Sequence, residues 1–360
     1  MAKRSSEARD AAKRNTRGRF EQWAKNPTCE ANAISVVRNV RMVDVAKAEG
    51  LSPSFGQSPF AIARGDQFER GLFREDGRLL NGLIAIGLLP EETSTFVDLR
   101  QKASGGPKSN NVDQAIEATT EFLSSLTPNS PPALVAAPTI RIPRGVMLPE
   151  AVLIIDALII RPLDNERLEL IVGEVKTYPD RGGYTSASEL AVARAQAGIY
   201  VHALEIAIAA LSLDNLLSVS TNGFLVLSKP GTNQPSIRPN EDLRYQAARA
   251  KRGFELLEAA ALAMPDSFWA DLDEATPEGL ISAIQTAKTD YKESCLSFCD
   301  RAATCHAAAA ARGDAVILGE ETRRMLGVVA IQRALELIDG AAPLNETEQD
   351  LVARFGLAAS

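Results

Sequence analysis

Residues 150–161, EAVLIIDALIIR, and residues 168–178, LELIVGEVKTY, decide the fold. Both runs are apolar and rich in β-branched side chains, and Pro162-Leu163-Asp164-Asn165-Glu166-Arg167 between them supplies turn residues. They read as an antiparallel hairpin in a largely buried sheet. A single charged residue, Asp156, interrupts the apolar core of the first run, and an isolated buried carboxylate is costly without a partner or a metal. Glu174 and Lys176 stand at i, i+2 in the second run, so they share a face. Asn165 lies midway between 156 and 174. A regular hairpin closing there sets Asp156 opposite Glu174, with Cβ atoms ~5 Å apart.

Outward from the hairpin, Ser186 and Glu189 form a capping-box pattern that opens an Ala-rich helix to about Leu211, reached through a flexible Gly182-Gly183 connection. NGFLVLSK at 222–229 reads as a further strand. Upstream, the pattern predicts helices over 16–49 broken at Asn26-Pro27-Thr28, a helix over 59–88 interrupted near Asp76-Gly77, and a short helix over 112–126. Residues 104–111 and 127–132 are breaks by composition. Downstream, helices are expected over 240–263, 277–292, 295–312 and 320–339, and there is no internal repeat. Helices, then strands, then helices imply an α/β layer arrangement around a mixed central sheet. The expected division is a basic tail at 1–15, a single domain over 16–340 (16–147 helical, 148–230 sheet and helix, 231–340 helical) and a terminal segment at 341–360.

Two close carboxylates repel each other unless a cation lies between them. Hard oxygen ligands suit Mg²⁺ or Mn²⁺, which polarise a phosphoryl oxygen and lower the pKa of bound water. Lys176 beside them can orient the water or stabilise charge on phosphorus. That is the chemistry of phosphodiester hydrolysis. The structural alternative is a salt bridge within a sheet.

These residues resemble the PD-(D/E)XK superfamily, and within it the RecB-like nucleases. That group carries a Q-x-x-x-Y motif on the helix after the lysine strand. Here the helix contains Gln196-Ala197-Gly198-Ile199-Tyr200, with the pair on one helical face. The resemblance implies a restriction-endonuclease-like fold, metal held by Asp156 and Glu174, and substrate placed by Gln196 and Tyr200. It also calls for a metal ligand on an earlier helix, usually a His after a Gly. The two histidines, His202 and His306, both lie downstream. In Gly65-Asp66-Gln67-Phe68-Glu69, Glu69 is the natural substitute and Asp66 the lesser one. Arg70, Arg74 and Arg78, four apart, form a stripe that either tracks a phosphate backbone or is a solvated face.

Cys29 precedes these motifs, and Cys295, Cys299 and Cys305 follow them. Four thiolates suit an Fe–S cluster or Zn²⁺, and His306 offers an alternative to one thiolate. One cysteine before and three after resembles the RecB-like branch with an iron staple, which includes AddB-type repair subunits and CRISPR-associated exonucleases. The resemblance implies a 4Fe–4S cluster with a structural role, fastening the N-terminal helices to the C-terminal ones.

The formal charge of −7 argues against a protein that coats nucleic acid over its whole surface, though not against one with a local basic stripe. The segment from Lys3 to Arg19 is such a stripe or a solubilising tail. No apolar run reaches the ~20 residues that span a bilayer, and no secretory signal opens the chain, so the expectation is a cytoplasmic protein. No G-x-x-x-x-G-K-[ST] loop is present, so a helicase or a repair or defence subunit would be a separate partner. The expected function is metal-dependent cleavage of DNA, as an exonuclease or on single strands and ends. A module that binds DNA ends without cutting and an Fe–S redox protein are the alternatives.

Overall fold

The computed structural model describes residues 22–38, 40–52, 59–73, 77–99, 112–142, 151–232, 234–263, 271–272 and 275–356. The basic tail, the loop 104–111 and Arg74 of the arginine stripe lie outside them. In chain order the helices are α1 (Glu30–Arg38), α2 (Met42–Ala48), α3 (Pro59–Leu72), α4 (Arg78–Ala85), α5 (Val112–Ser124), α6 (Ala187–Ala210), α7 (Arg244–Leu262), α8 (Pro277–Thr286), α9 (Ala302–Ala311), α10 (Glu320–Leu326), α11 (Ile331–Ile338) and α12 (Glu346–Arg354). The strands are β1 (Thr95–Asp98), β2 (Ala133–Ala136), β3 (Thr139–Ile142), β4 (Ala151–Ile154), β5 (Ala157–Pro162), β6 (Leu168–Pro179), β7 (Leu217–Val219), β8 (Asn222–Ser228) and β9 (Pro235–Asp242). Contacts divide the chain into two compact units. One holds Gln57–Ala263; the other joins Gly18–Gly56 to Met264–Ser360.

The first unit is built on a mixed seven-stranded sheet in the order β1-β2-β5-β6-β8-β9, with β7 also paired to β6. Strand alternation sorts its apolar side chains into two cores. Val135, Leu158, Ile160, Leu170 and Val172 pack with Ala197, Tyr200, Val201 and Leu204 of α6. Leu134, Ile159, Ile171, Phe224 and Val226 pack with Phe68 and Leu72 of α3 and Leu79 and Leu83 of α4. The sheet is therefore covered by helices on both faces, and its central strands are apolar on both sides.

The single long strand expected over 150–161 is in fact two. β4 pairs with β3 in a separate two-stranded sheet, and β5 belongs to the large one. The chain bends between them at Ile155-Asp156. A matching bend joins β2 to β3 at Ala137, whose φ of 53° is left-handed. The two bends are tied by Ala137 N–H donating to Asp156 O (3.4 Å) and Ile155 N–H donating to Pro138 O (3.0 Å).

The helix expected over 59–88 ends at Leu72 and restarts at Arg78, after Gly77 at φ 62°. Arg70 and Arg78 thus sit on different helices, and the proposed stripe is not one helix face. The helix expected over 320–339 is likewise cut, at Gly327 with φ 63°. The helix placed at 240–263 starts at Arg244, because 235–242 pairs with β8 as an edge strand.

In the second unit, α1, α2 and α8 gather Ala31, Ile34, Met42, Val45 and Ile284. A second cluster holds Tyr291, Cys295, Ala302, Ala309 and Val316. A third holds Leu326, Val329, Ala334, Leu337 and Leu351.

Candidate active site

The hairpin register is the one the turn dictates. Ala157 pairs with Gly173, Leu158 with Val172 and Pro162 with Leu168. Continued by one residue, that register sets Asp156 opposite Glu174. The pairing of β5 with β6 stops at Gly173, whereas β6 runs on to Pro179 beside β8. The sheet therefore forks where Asp156 and Glu174 lie. At the fork, Asp156 Oδ2 accepts the Val175 N–H at 2.9 Å, a position that a ladder carbonyl would otherwise fill.

Glu174 is fully buried and forms an ion pair with Lys176 Nζ. By alternation both continue the face of Leu170 and Val172, the face covered by α6. A buried carboxylate requires a nearby positive charge, and the lysine two residues on supplies it. Asp156 is only half-buried, because the bend lifts it out of the continuous apolar strand expected for it.

On α6, Gln196 Nε2 donates to the Tyr200 hydroxyl at 2.9 Å, so the pair does share a face. Both are buried, and Gln196 Oε1 has no hydrogen-bond partner among the described residues. An unmet buried acceptor costs about 1–3 kcal/mol, which a bound donor would recover. Gly198 within the same motif has a different explanation: a Cβ there would lie 2.4 Å from Gln246 Cβ and 2.6 Å from its carbonyl carbon on α7. Close approach of the two helices requires a glycine.

Glu69 is on α3, half-buried, one residue after the buried Phe68. Asp66 lies on the same helix, but its side chain is outside the described residues. As they stand, no three His, Cys, Asp or Glu side chains among the described residues form a group that could hold a metal ion. The structure therefore does not join Glu69 to Asp156 and Glu174.

The four cysteines converge in the second unit. Cys29, Cys295, Cys299 and Cys305 all line one small cavity of about 20 Å³, with Met42, Tyr291, Phe298 and Ala302 among its apolar walls. No disulfide links them. Burial, then repulsion from the neighbouring thiols, pushes the Cys299 thiol up to about 12. Burial likewise raises Cys295 and Cys305, against opposing pulls from the Lys292 N–H and Asn26 at Cys295 and from Arg301 at Cys305. Thiols so placed stay neutral unless a cation is bound, and a cation among them is what would deprotonate them. Four thiols are the donor chemistry of a tetrathiolate centre, but as they stand no three of them form a group that could hold a metal ion.

Two residues absent from the sequence-based site support this cavity. Asn26 Nδ2 donates to Asp290 O (2.6 Å) and reaches Cys295 Sγ (3.5 Å), bridging 269 residues of sequence. Arg301, buried, donates to Glu49 Oε1 (2.6 Å) and to the carbonyls of Ile284 (2.8 Å) and Gln285 (2.7 Å). Only their burial identifies them, and a single Asn or Arg carries no such signal in sequence. His306 packs edge-on against Tyr291 at 5.6 Å, and is not among the residues lining the cavity. No helix among the described residues is long and apolar enough to cross a membrane. Comparison with protein-family models, curated proteins and solved structures found no match.

Proposed function

We propose that this chain is a metal-dependent DNA nuclease of the PD-(D/E)XK type, with its site at the fork between β5 and β6. The observation that carries this reading is the register placing Asp156 opposite Glu174, with Asp156 bonded to the Val175 N–H and Lys176 paired to Glu174. The order of β5, β6, α6 and β8, with α3 on the opposite face, supports a restriction-endonuclease-like core.

Asp156 and Glu174 would hold Mg²⁺ or Mn²⁺, with Glu69 as the third carboxylate. When bound, the metal supplies Lewis-acid polarisation of a phosphoryl oxygen and a lowered pKa for a coordinated water. Lys176 is held at the fork by Glu174, where its ammonium can orient the attacking water and offset charge developing on the phosphate. Gln196 and Tyr200 present a buried amide and phenol from α6 to position substrate or water. The bent backbone at Asp156 is tied down by two hydrogen bonds, so the carboxylate is preorganised rather than recruited.

The separation of Glu69 from the other two carboxylates favours a second reading, a module that holds DNA ends without cutting. Incubation of end-labelled single-stranded and duplex DNA with Mn²⁺ or EDTA distinguishes them. Metal-dependent release of label supports the nuclease; tight binding with no release at any metal concentration supports the module. We also propose that the four cysteines hold a 4Fe–4S cluster with a structural role. Zn²⁺ is the alternative occupant of the same thiols.

A further inference from the structure

Beyond Lys176, β6 ends in a small rigid projection that the nuclease reading leaves unused. The segment Asp180-Arg181-Gly182-Gly183-Tyr184-Thr185 is not the flexible connection its two glycines suggest. Arg181 N–H donates to Tyr184 O (2.9 Å) and Tyr184 N–H donates to Arg181 O (3.3 Å), closing a two-residue hairpin. Gly182 and Gly183 have φ of +64° and +92°, the left-handed pair that such a turn demands.

The stem is anchored by a buried polar network. Asp180, 5 % exposed, accepts from Thr185 Oγ1 (3.1 Å) on one carboxylate oxygen and from Ser236 Oγ (2.6 Å) on the other. Arg238 Nη1 donates to Gly183 O (2.9 Å) and lies 3.8 Å from Asp180. Arg238 is in turn fixed by Glu241, which also binds Arg194 of α6. A loop pinned from β9 and α6 in this way presents its tip in one orientation.

The tip carries an aromatic ring that the fold does not use. Tyr184 is 68 % exposed, and Arg181 beside it is exposed as well. At the base of the projection, Arg64, Thr177, Pro179 and the turn from Ser228 to Thr232 line a recess. Arg64, which donates to the Thr177 hydroxyl at 3.3 Å, and Lys229 are exposed cations among the residues lining this recess. Asp180 N–H donates to Ser228 O (2.9 Å), so recess and projection share one strand end.

An exposed aromatic on a rigid stem above a cationic recess matches the needs of an unpaired nucleotide: a surface for the base face and cations for the phosphates. A stacked base inside a duplex offers no free face to such a ring. We infer that the Arg181–Tyr184 hairpin, just past the end of β6, is a stacking platform for a base of single-stranded nucleic acid. This deepens the nuclease reading and rests on it for the choice of ligand.

The test is fluorescence anisotropy of the full chain with a labelled single-stranded oligonucleotide and with a blunt duplex, both in EDTA so that nothing is cut. Tyr184→Ala should weaken single-strand binding about 5- to 150-fold and leave duplex binding unchanged. Tyr184→Phe, which keeps the ring, should bind like the parent. A base analogue in the oligonucleotide whose fluorescence is quenched by stacking should lose that quenching in Tyr184→Ala only. The inference is overturned if the parent chain does not bind the single strand, if Tyr184→Ala binds as the parent does, or if Tyr184→Phe loses as much as Tyr184→Ala. Mn²⁺-dependent cleavage by the parent chain reports on the nuclease reading separately, because the binding comparison in EDTA needs no cutting.

Discussion

At the scale of single residues, the informative feature is how each buried polar group is satisfied. Glu174 takes its counter-charge from Lys176, and Asp156 takes a backbone N–H from the strand it faces. The facing of these two was legible in the sequence, since a turn centred on Asn165 leaves only one regular register. The bend at Asp156 was not legible, because Ala151–Ile154 and residues 157–160 are alike in being short apolar runs and nothing local marks a change of sheet. Cys299 gives a prediction at this scale. Its thiol is raised by burial from an ordinary 9.0 to about 12 in the folded, metal-free chain. Above pH 9 the unfolded chain loses that proton first, so stability is fully present below pH 9 and falls as pH rises toward 12. Thermal melting of metal-free protein should therefore show a midpoint that drops between pH 8 and pH 10.5, with a shallower drop in Cys299→Ser. Parallel pH profiles for the two would show that Cys299 is not buried as described.

At the scale of elements, the long periodic segments were readable and the short ones were not. The helix opened at Ser186 and the strand β8 fall where their patterns place them. β1, β2 and β3 are four residues each, too short to display alternation, and β9 contains two prolines that read as loop. β9 tolerates them because it lies at the sheet edge. The Gln196–Tyr200 motif shows two requirements superimposed on one stretch of helix, a polar face at 196 and 200 and a close helix contact at 198. Gly198→Ala should destabilise the chain by about 1–3 kcal/mol through the clash with the α7 backbone, although alanine is the better helix former. Urea unfolding measures this. An unchanged or raised midpoint would mean that α6 and α7 can separate at little cost.

At the scale of the whole molecule, the chain builds one compact unit from its middle and another from two flanking segments. Only Cys29 announces this in the sequence, because its natural partners are the three cysteines some 270 residues later; the helices around it have no composition that sets them apart. Binding of one centre by four thiols would close that long loop and restrict the unfolded chain most. Anaerobically purified protein should contain about four irons per chain, with negligible zinc. Cys295→Ser should lower both iron content and the melting midpoint. Stoichiometric zinc would replace the iron assignment and leave the β5–β6 site untouched.

The central claim concerns the fork, and it is tested most directly by single-turnover cleavage of end-labelled DNA by the parent chain and by Asp156→Ala, each with and without Mn²⁺. The account predicts cleavage by the parent only with metal. It predicts a loss of more than about 100-fold in Asp156→Ala at unchanged helix content and DNA affinity. Cleavage by Asp156→Ala at the parental rate, or by the parent in EDTA, would contradict it.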